Sequence, residues 1–209
     1  MIIDTYNFSS CDGLTSLHIP ASVEVFSMEQ GKQVCLRGSD FIEKITVDEN
    51  NKVYKDVDGI LYSKDMTTLI TVPDAWKGVV EIPETVTTTI NGAFNGCHSV
   101  TEIVIPAATE NFDEGSGIFY GLSSLKGYTV DEEHKYLKSV NGALLSKDGT
   151  KLVHVPNLVA GTSYDIPDTV EVIFNEAFSD CIELKTIEVP ASMDLQTSHS
   201  LQGLPFTLF

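Results

Sequence analysis

The sequence is poor in positive charge. Its 209 residues include 13 Lys and Arg against 30 Asp and Glu, which gives a formal net charge of −17 at pH 7. Nucleic acids and anionic membrane surfaces are recognised by clustered cationic side chains. The charge balance therefore argues against a nucleic-acid partner. It is compatible with basic partners, or with acidity that only maintains solubility.

Long hydrophobic runs are also missing. No run approaches the roughly 18 apolar residues that a membrane-spanning helix needs, so the sequence predicts no transmembrane segment. The first five residues, Met1-Ile2-Ile3-Asp4-Thr5, lack the basic and apolar regions of a signal peptide.

Residues that usually carry chemistry are scarce or isolated. There is no Cys-x-x-Cys, no zinc-type spacing and no glycine-rich phosphate loop. None of the histidines lies in a recognisable nucleophile motif; they are His18, His98, His134, His154 and His199. The sequence therefore predicts no catalytic residue, no metal ion and no cofactor.

What the sequence does have is a repeated frame of apolar residues. Successive apolar residues are spaced three positions apart, and the last two are spaced two apart. One copy consists of Phe94, Cys97, Val100, Ile103 and Ile105, and Pro106 follows it. Equivalent frames begin at Phe8, Phe119 and Phe178, and a degenerate frame runs from Leu36 to Asp48. Such spacing suits a tight turn or 3₁₀ segment that becomes a short strand. One copy cannot bury its apolar side, whereas stacked copies can.

Cysteine recurs at one position of this frame. Cys11, Cys97 and Cys181 are equivalent, and Leu122 takes their place in another copy, while Cys35 lies outside the pattern. Leucine can replace a buried thiol but not a metal ligand or a disulfide partner. We therefore interpret these cysteines as free, buried, small hydrophobic residues.

A larger repeat contains the frames. Val47-Asp48 recurs 83 positions later as Val130-Asp131, and from Ile82 and Ile166 onward the offset between matching residues is 84. These matches define two composite units, of about 36–106 and 119–190. The one-residue slip lies between Pro73 and Ile82, which we expect to be an exposed loop that tolerates insertion.

Each unit also contains a hairpin signal. Lys147-Asp148-Gly149-Thr150 predicts a tight turn, whereas Asp65-Met66 in the first unit predicts a looser turn or one of another type. Asp56-x-Asp58-Gly59 matches part of a calcium loop, but the remaining ligands are absent and a hairpin turn is the better interpretation.

These patterns predict a mostly β, leucine-rich-repeat solenoid that forms a single domain over residues 1–209. We expect a right-handed coil with a parallel β-sheet on its concave face. Short turns or 3₁₀ segments would form the convex side, with β-hairpins inserted. Ile82 to Ile105 and Ile166 to Val189 each span 23 positions, a spacing typical of leucine-rich repeats.

The pattern Ile-Pro-x-x-Val…Ala-Phe-x-x-Cys-x-x-Leu-x-x-Ile-x-Ile-Pro, carried by 82–106 and 166–190, resembles the BspA-like, or Treponema-type, leucine-rich-repeat family. The resemblance implies a non-enzymatic binding or adhesion module of a bacterial cell-surface or secreted protein, with a host or bacterial protein or glycan as ligand. The alternative is an intracellular or periplasmic interaction scaffold. Because Phe8 already belongs to a repeat, we expect the chain to be part of a longer precursor, and we expect a monomer.

A binding surface can be predicted from the strand pattern. Solenoids commonly bind through the solvent side of their sheet, and here the residues flanking each central apolar position face solvent. The predicted set is Ser16, His18, Lys44, Thr46, Glu102, Val104, Thr129, Thr186 and Glu188. It contains no aromatic residue, so plain solvation is the alternative. Trp76 is a second candidate, which could equally cover a hairpin edge.

Overall fold

Short strands joined by tight turns make up most of the chain. The computed structural model describes residues 2–4, 11, 13–27, 41–112, 119–190 and 193. In chain order the strands are β1 (Ile2–Asp4), β2 (Ser16–Ile19), β3 (Val25–Ser27), β4 (Lys44–Val47), β5 (Tyr54–Val57), β6 (Ile60–Ser63), β7 (Thr68–Thr71), β8 (Gly78–Glu81), β9 (Thr88–Thr89), β10 (Val100–Ile105), β11 (Asn111–Phe112), β12 (Tyr128–Val130), β13 (Leu137–Val140), β14 (Ala143–Ser146), β15 (Lys151–His154), β16 (Ser163–Asp165), β17 (Val172–Ile173) and β18 (Thr186–Glu188). One short helix, α1 (Asn157–Ala160), follows β15.

Parallel pairing between successive frames produces a β-solenoid of about five turns, as the sequence predicts. On one side of the turns, β2 pairs with β4, β10 lies between β8 and β12, and β16 pairs with β18. On another side, β1 pairs with β3, β9 lies between β7 and β11, and β15 pairs with β17. All of these pairs are parallel.

Residues at equivalent frame positions form the buried core, which is divided among three hydrophobic clusters along the solenoid. Phe94 is completely buried and Phe178 is 7% exposed. The thiol of Cys97 lies 3.7 Å from the carbonyl oxygen of Val72, and that of Cys181 lies 3.3 Å from the equivalent carbonyl of Val155. The two units therefore use the same side-chain and backbone partners.

The turns before the strands also match between units. In the first unit, the amides of Cys97 and Val100 each donate to the carbonyl three residues earlier. Cys181 and Leu184 repeat this pattern in the second unit. The predicted short turns are confirmed, and their three-residue hydrogen bonds explain the three-residue spacing of the apolar side chains.

Antiparallel strands are inserted in both units: β5–β6–β7 in the first and β13–β14–β15 in the second. The turn joining β5 to β6 has positive φ at Asp58 and Gly59, and Asn141 and Gly142 repeat it between β13 and β14. A Cβ atom on Gly59 would lie 2.8 Å from Cβ of Lys44, so this tip needs glycine for space as well as for φ. The predicted hairpin turn at Asp58-Gly59 is confirmed.

The prediction of a different turn at Asp65-Met66 is wrong. Met66 has φ +62°, close to the +84° of Gly149, and both amides donate to the serine carbonyl three residues earlier. In each unit an aspartate Oδ1, of Asp65 or Asp148, accepts hydrogen bonds from a serine hydroxyl and from the amide and hydroxyl of a threonine. This network imposes the left-handed conformation on methionine.

The segment containing the one-residue difference in length is only partly the exposed loop that the sequence predicts, with Lys77 and Leu158 exposed. Ala75 and Trp76 are half-buried, and Ala160 in the second unit is 1% exposed. In the first unit the amide of Trp76 donates to the carbonyl of Pro73, three residues back. In the second, Ala160 donates to Pro156, four residues back, within α1. The extra residue is accommodated by exchanging a three-residue turn for one α-helical turn.

Candidate functional site

The solvent side of the three parallel sheets β2–β4, β8–β10–β12 and β16–β18 carries the predicted binding residues. We call this surface the outward face. Its members are half-buried or exposed at positions that alternate with buried neighbours, and they are Ser16, His18, Lys44, Thr46, Val79, Glu81, Glu102, Val104, Thr129, Ser163, Asp165, Thr186 and Glu188. The alternation follows from the two-residue period of a strand.

The first sheet places two predicted pairs side by side. Ser16 is in register with Lys44, and His18 with Thr46. Nδ1 of His18 lies 3.0 Å from Oγ1 of Thr46. These four residues form one local group, on a different sheet from the remaining predicted residues.

The central sheet brings together Glu102, Val104 and Thr129. Glu81, Val104 and Thr129 lie in one register row across β8, β10 and β12. The hydroxyl of Thr129 donates a 2.6 Å hydrogen bond to Oε1 of Glu102. Among the strand positions of this sheet that face outward, the charged side chains are therefore all acidic.

The third sheet holds Thr186 and Glu188 on β18, in register with Ser163 and Asp165 on β16. The Asp165–Glu188 pair places two acidic side chains on neighbouring strands. Acidic side chains thus recur on the outward faces of two separate sheets.

Sequence reasoning missed the outward residues of β8 and β16: Val79, Glu81, Ser163 and Asp165. A signal for them was available, because 78–83 and 162–167 end in the same apolar-x-Ile-Pro pattern as the recognised strands. The upstream Phe and Cys steps are absent there, so these strands do not match the full frame.

A shallow groove of about 450 Å³ opens at the carboxyl ends of β8, β10 and β12. Its apolar lining consists of Ile82, Pro83, Val104, Ile105 and Pro106. Its polar lining consists of Glu81, Glu84, Thr129 and Asp131. We call it the strand-end groove. It adjoins the outward face, with which it shares Glu81, Val104 and Thr129.

Trp76 lies in the turn that leads into β8. It is half-buried and packs against the core, and its indole N–H donates to the carbonyl oxygen of Val79 at 3.2 Å. The structure therefore gives this side chain a packing role, while its part in binding stays a prediction.

Two histidines that are isolated in the sequence are buried in the second unit. Nδ1 of His154 lies 2.7 Å from the hydroxyl of Tyr128, and its ring stacks on Phe119 with centroids 4.7 Å apart. Burial lowers the pKa of His154 to about 3, so the ring is neutral near neutral pH. Enclosure of this ring leaves a substrate no access to it.

His134 is buried as well. Its Nδ1 accepts hydrogen bonds from the amides of Tyr136 and Leu137 at 3.1 and 3.0 Å, which fixes the neutral form with the proton on Nε2. Burial lowers the pKa of His134. Its geometry is that of a structural acceptor for the start of β13.

The part of the chain that the structure describes contains no cluster of three or more His, Cys, Asp or Glu arranged to hold a metal ion. The cysteines described are thiols: Cys97 is buried, and Cys11 and Cys181 are half-buried rather than fully buried. Burial and the neighbouring Asp180 charge raise the pKa of Cys181 to about 12, which opposes formation of a thiolate. Over the same described residues, no helix is long and apolar enough to span a bilayer.

Comparison with solved structures finds similar solenoids in bacteria. The pneumococcal vaccine antigen PcpA is 17% identical with a TM-score of 0.54, over 87% of this chain and 44% of that one. A leucine-rich cell surface protein from Faecalibacterium prausnitzii A2-165 is 21% identical with a TM-score of 0.54, over 86% of this chain and 43% of that one. The chain thus spans less than half the length of these two structures, and the likeness shows a shared fold.

No curated protein matches the sequence at a significant level. The family model for the BspA type leucine rich repeat region matches in six copies, over residues 1–58, 78–146 and 157–206. These segments contain the frames and the whole outward face, but not β7 and β15. The chain belongs to the BspA-type leucine-rich-repeat family.

Proposed function

We propose that the chain is a non-enzymatic binding module that recognises a protein partner through its outward face. The observation that carries this proposal is the row of outward side chains in register on β8, β10 and β12, supported from behind by a fully buried layer that includes Val80 and Ile103. A rigid scaffold that presents alternating side chains suits recognition of another macromolecule.

The buried chemistry supports a role other than catalysis. A catalytic base must reach its substrate, and both His134 and His154 are 1% exposed. The carboxylates of Glu81 and Glu102 lie on an open sheet surface rather than in a closed cleft.

A protein is favoured over a glycan as the ligand. Small-ligand sites are usually concave and rich in aromatic side chains, and the outward face contains none. The net charge of −17 favours a partner with basic groups, because complementary charge accelerates and orients association.

We further propose a location at the bacterial surface or outside the cell, where this module would act in adhesion. The similar structure from Faecalibacterium prausnitzii is described as a cell surface protein. An intracellular scaffold is the alternative. Fractionation of the native organism, followed by detection of the chain with a specific antibody, would decide between surface and cytoplasm.

Binding can be tested by immobilising the chain and passing over it a panel of purified extracellular-matrix proteins and extracts of neighbouring bacteria. Thr129→Trp and Thr186→Trp would place bulky groups on two sheets of the outward face without disturbing the core, since both residues are exposed. We expect Thr129→Trp, Thr186→Trp or both to weaken binding of a captured partner. Asn175→Trp, at an exposed turn, serves as the matched control. Unchanged binding by both threonine variants would contradict the assignment of the face.

A further inference from the structure

The strand-end groove combines an apolar floor with carboxylates at its rim. Ile82, Ile105 and Pro106 are each buried in the scaffold and contribute to the lining, while Val104 is half-buried. Glu81 and Glu84 are exposed and Asp131 is half-buried. A side chain that enters would therefore contact hydrocarbon along its length and negative charge at its end.

Among the described residues, no Lys, Arg or His forms an ion pair with these three carboxylates, whereas Lys135 and Glu110 are joined by an ion pair at 3.3 Å. Asp131 accepts a hydrogen bond from the amide of Glu133, through Oδ1 at 2.7 Å. Within the part of the chain that the structure describes, these carboxylates therefore have no cationic partner, and an approaching cation would gain attraction without displacing one.

We infer that the strand-end groove receives a lysine or arginine side chain from the protein partner. Both side chains lay an aliphatic stem on apolar surface while their charged group remains at the polar rim. A volume of about 450 Å³ leaves room for such a chain together with some of its backbone. This inference rests on the proposed function, since it names the chemistry of the partner at one part of the same face.

The geometry favours this occupant over two others. A metal ion would need a converging set of ligands, and the described residues contain no such cluster. An acidic or purely apolar segment would leave the carboxylates repelled or desolvated without a partner. A basic segment can place its aliphatic stem on the apolar floor and its positive charge beside the carboxylates of the rim.

The test uses the whole chain, labelled with ¹⁵N, and the peptide acetyl-Gly-Lys-Gly-Lys-Gly-amide. Its control has norleucine in place of lysine, which keeps most of the stem and removes the charge. We expect saturable shifts at the amides of Glu81, Val104 and Thr129 with the lysine peptide. We expect the norleucine peptide to bind at least about tenfold more weakly.

A charge-matched pair of variants completes the experiment. The first combines Glu81→Gln, Glu84→Gln and Asp131→Asn, and we expect it to lose at least about tenfold in affinity for the lysine peptide. The second combines Glu171→Gln, Glu176→Gln and Glu183→Gln, all at exposed positions, and we expect affinity close to that of the parent chain. Equal loss in both variants, or shifts spread over the whole surface, would show non-specific attraction and overturn the inference.

The failure of the groove and the failure of the proposed function are distinguishable. If the peptide does not bind in the groove but Thr129→Trp or Thr186→Trp still abolishes capture of a partner, the inference falls and the proposed function stands. If the peptide binds in the groove while both tryptophan variants capture the partner normally, the outward face is not the recognition surface.

Discussion

The units 36–106 and 119–190 have the same frame but bury different polar groups. In the first unit, Asn51 accepts hydrogen bonds through Oδ1 from the amides of Val53 and Tyr54. In the second, Nδ1 of His134 accepts from the equivalent amides, two and three residues later. The scaffold therefore requires an acceptor at this point, and two chemically different side chains supply it.

A second difference involves two positions at once. Ile45 and Thr71 of the first unit correspond to Tyr128 and His154 of the second, where the side chains are joined by a buried 2.7 Å hydrogen bond. Tyr128 would bury an unpaired hydroxyl without His154, so the two substitutions depend on each other. The comparison teaches that the second unit depends on neutral histidines at two places where the first unit has none.

The largest expected effect tests whether the two units bury their equivalent frame phenylalanines alike. Phe94→Ala should destabilise the chain by about 3–5 kcal/mol, because a fully buried ring is replaced by a cavity. Phe178→Ala should cost somewhat less, since Phe178 is 7% exposed. Urea denaturation followed by circular dichroism would measure both. Phe41→Ala, at a residue 49% exposed, is the matched control, and a cost as small as that control at either position would break the equivalence.

The next effect concerns pH. The pKa of His154 is about 3 in the folded chain and about 6.5 in an unfolded one. Because the folded value is lower, this contribution to stability is complete above pH 6.5. It is lost as pH falls toward 3, by roughly 1.4 kcal/mol for each pH unit. His154→Thr, which copies the first unit, should flatten the slope of unfolding free energy between pH 6.5 and 4.

His134→Asn should act in the same direction, because burial also lowers the pKa of His134. Denaturation of each variant and of the parent chain at several pH values cancels the contribution of the carboxylates. An unchanged slope in His154→Thr would contradict burial of that ring.

The buried pair should show strong coupling. Tyr128→Phe leaves Nδ1 of His154 without its observed partner and should cost about 1–3 kcal/mol. The double variant Tyr128→Ile/His154→Thr reproduces the first unit, and we expect it to cost less than the sum of its single variants. A double-mutant cycle would measure this; simple additivity would show that the two side chains act independently.

The smallest effect compares the two hairpin turns. Gly149→Met reproduces the first unit and should cost about 1 kcal/mol, because methionine must adopt a positive φ. The reciprocal Met66→Gly relieves that strain but removes a half-buried side chain that packs on the core, so its net effect should be smaller. Thermal denaturation of both variants would sharpen the comparison, and no cost in Gly149→Met would contradict the shared turn geometry.

The fold was predictable because the frame has a period that each copy repeats. The two-residue spacing of Ile103 and Ile105 indicates a strand. The three-residue spacing of Phe94 and Cys97 indicates the turn that precedes this strand. The outward positions then follow from alternation alone. The outward residues Val79 and Glu81 were not predicted, because no Phe and Cys precede β8 at the frame spacing. The strand-end groove was not predicted either, because it depends on how the ends of three strands lie relative to one another.

Contacts between residues far apart in the sequence could not be predicted from the repeat pattern either. Oδ2 of Asp180 accepts hydrogen bonds from the amides of Gly121 and Leu122, at 2.6 and 3.0 Å, although they lie more than fifty positions earlier. The turn at Met66 was mispredicted because the sequence shows the absence of glycine, whereas the side chain of Asp65 decides the backbone conformation. Local propensity is overridden where a side-chain network closes the turn.

The most direct measurement is an NMR pH titration of the imidazole signals of His154 and His134 in the intact chain. The account holds that stacked equivalent residues enclose both rings, so His154 should remain neutral until the pH approaches about 3 and His134 should titrate below its ordinary range. If both rings instead titrate near the ordinary value of about 6.5, they are open to water and the stacked arrangement of the second unit is wrong.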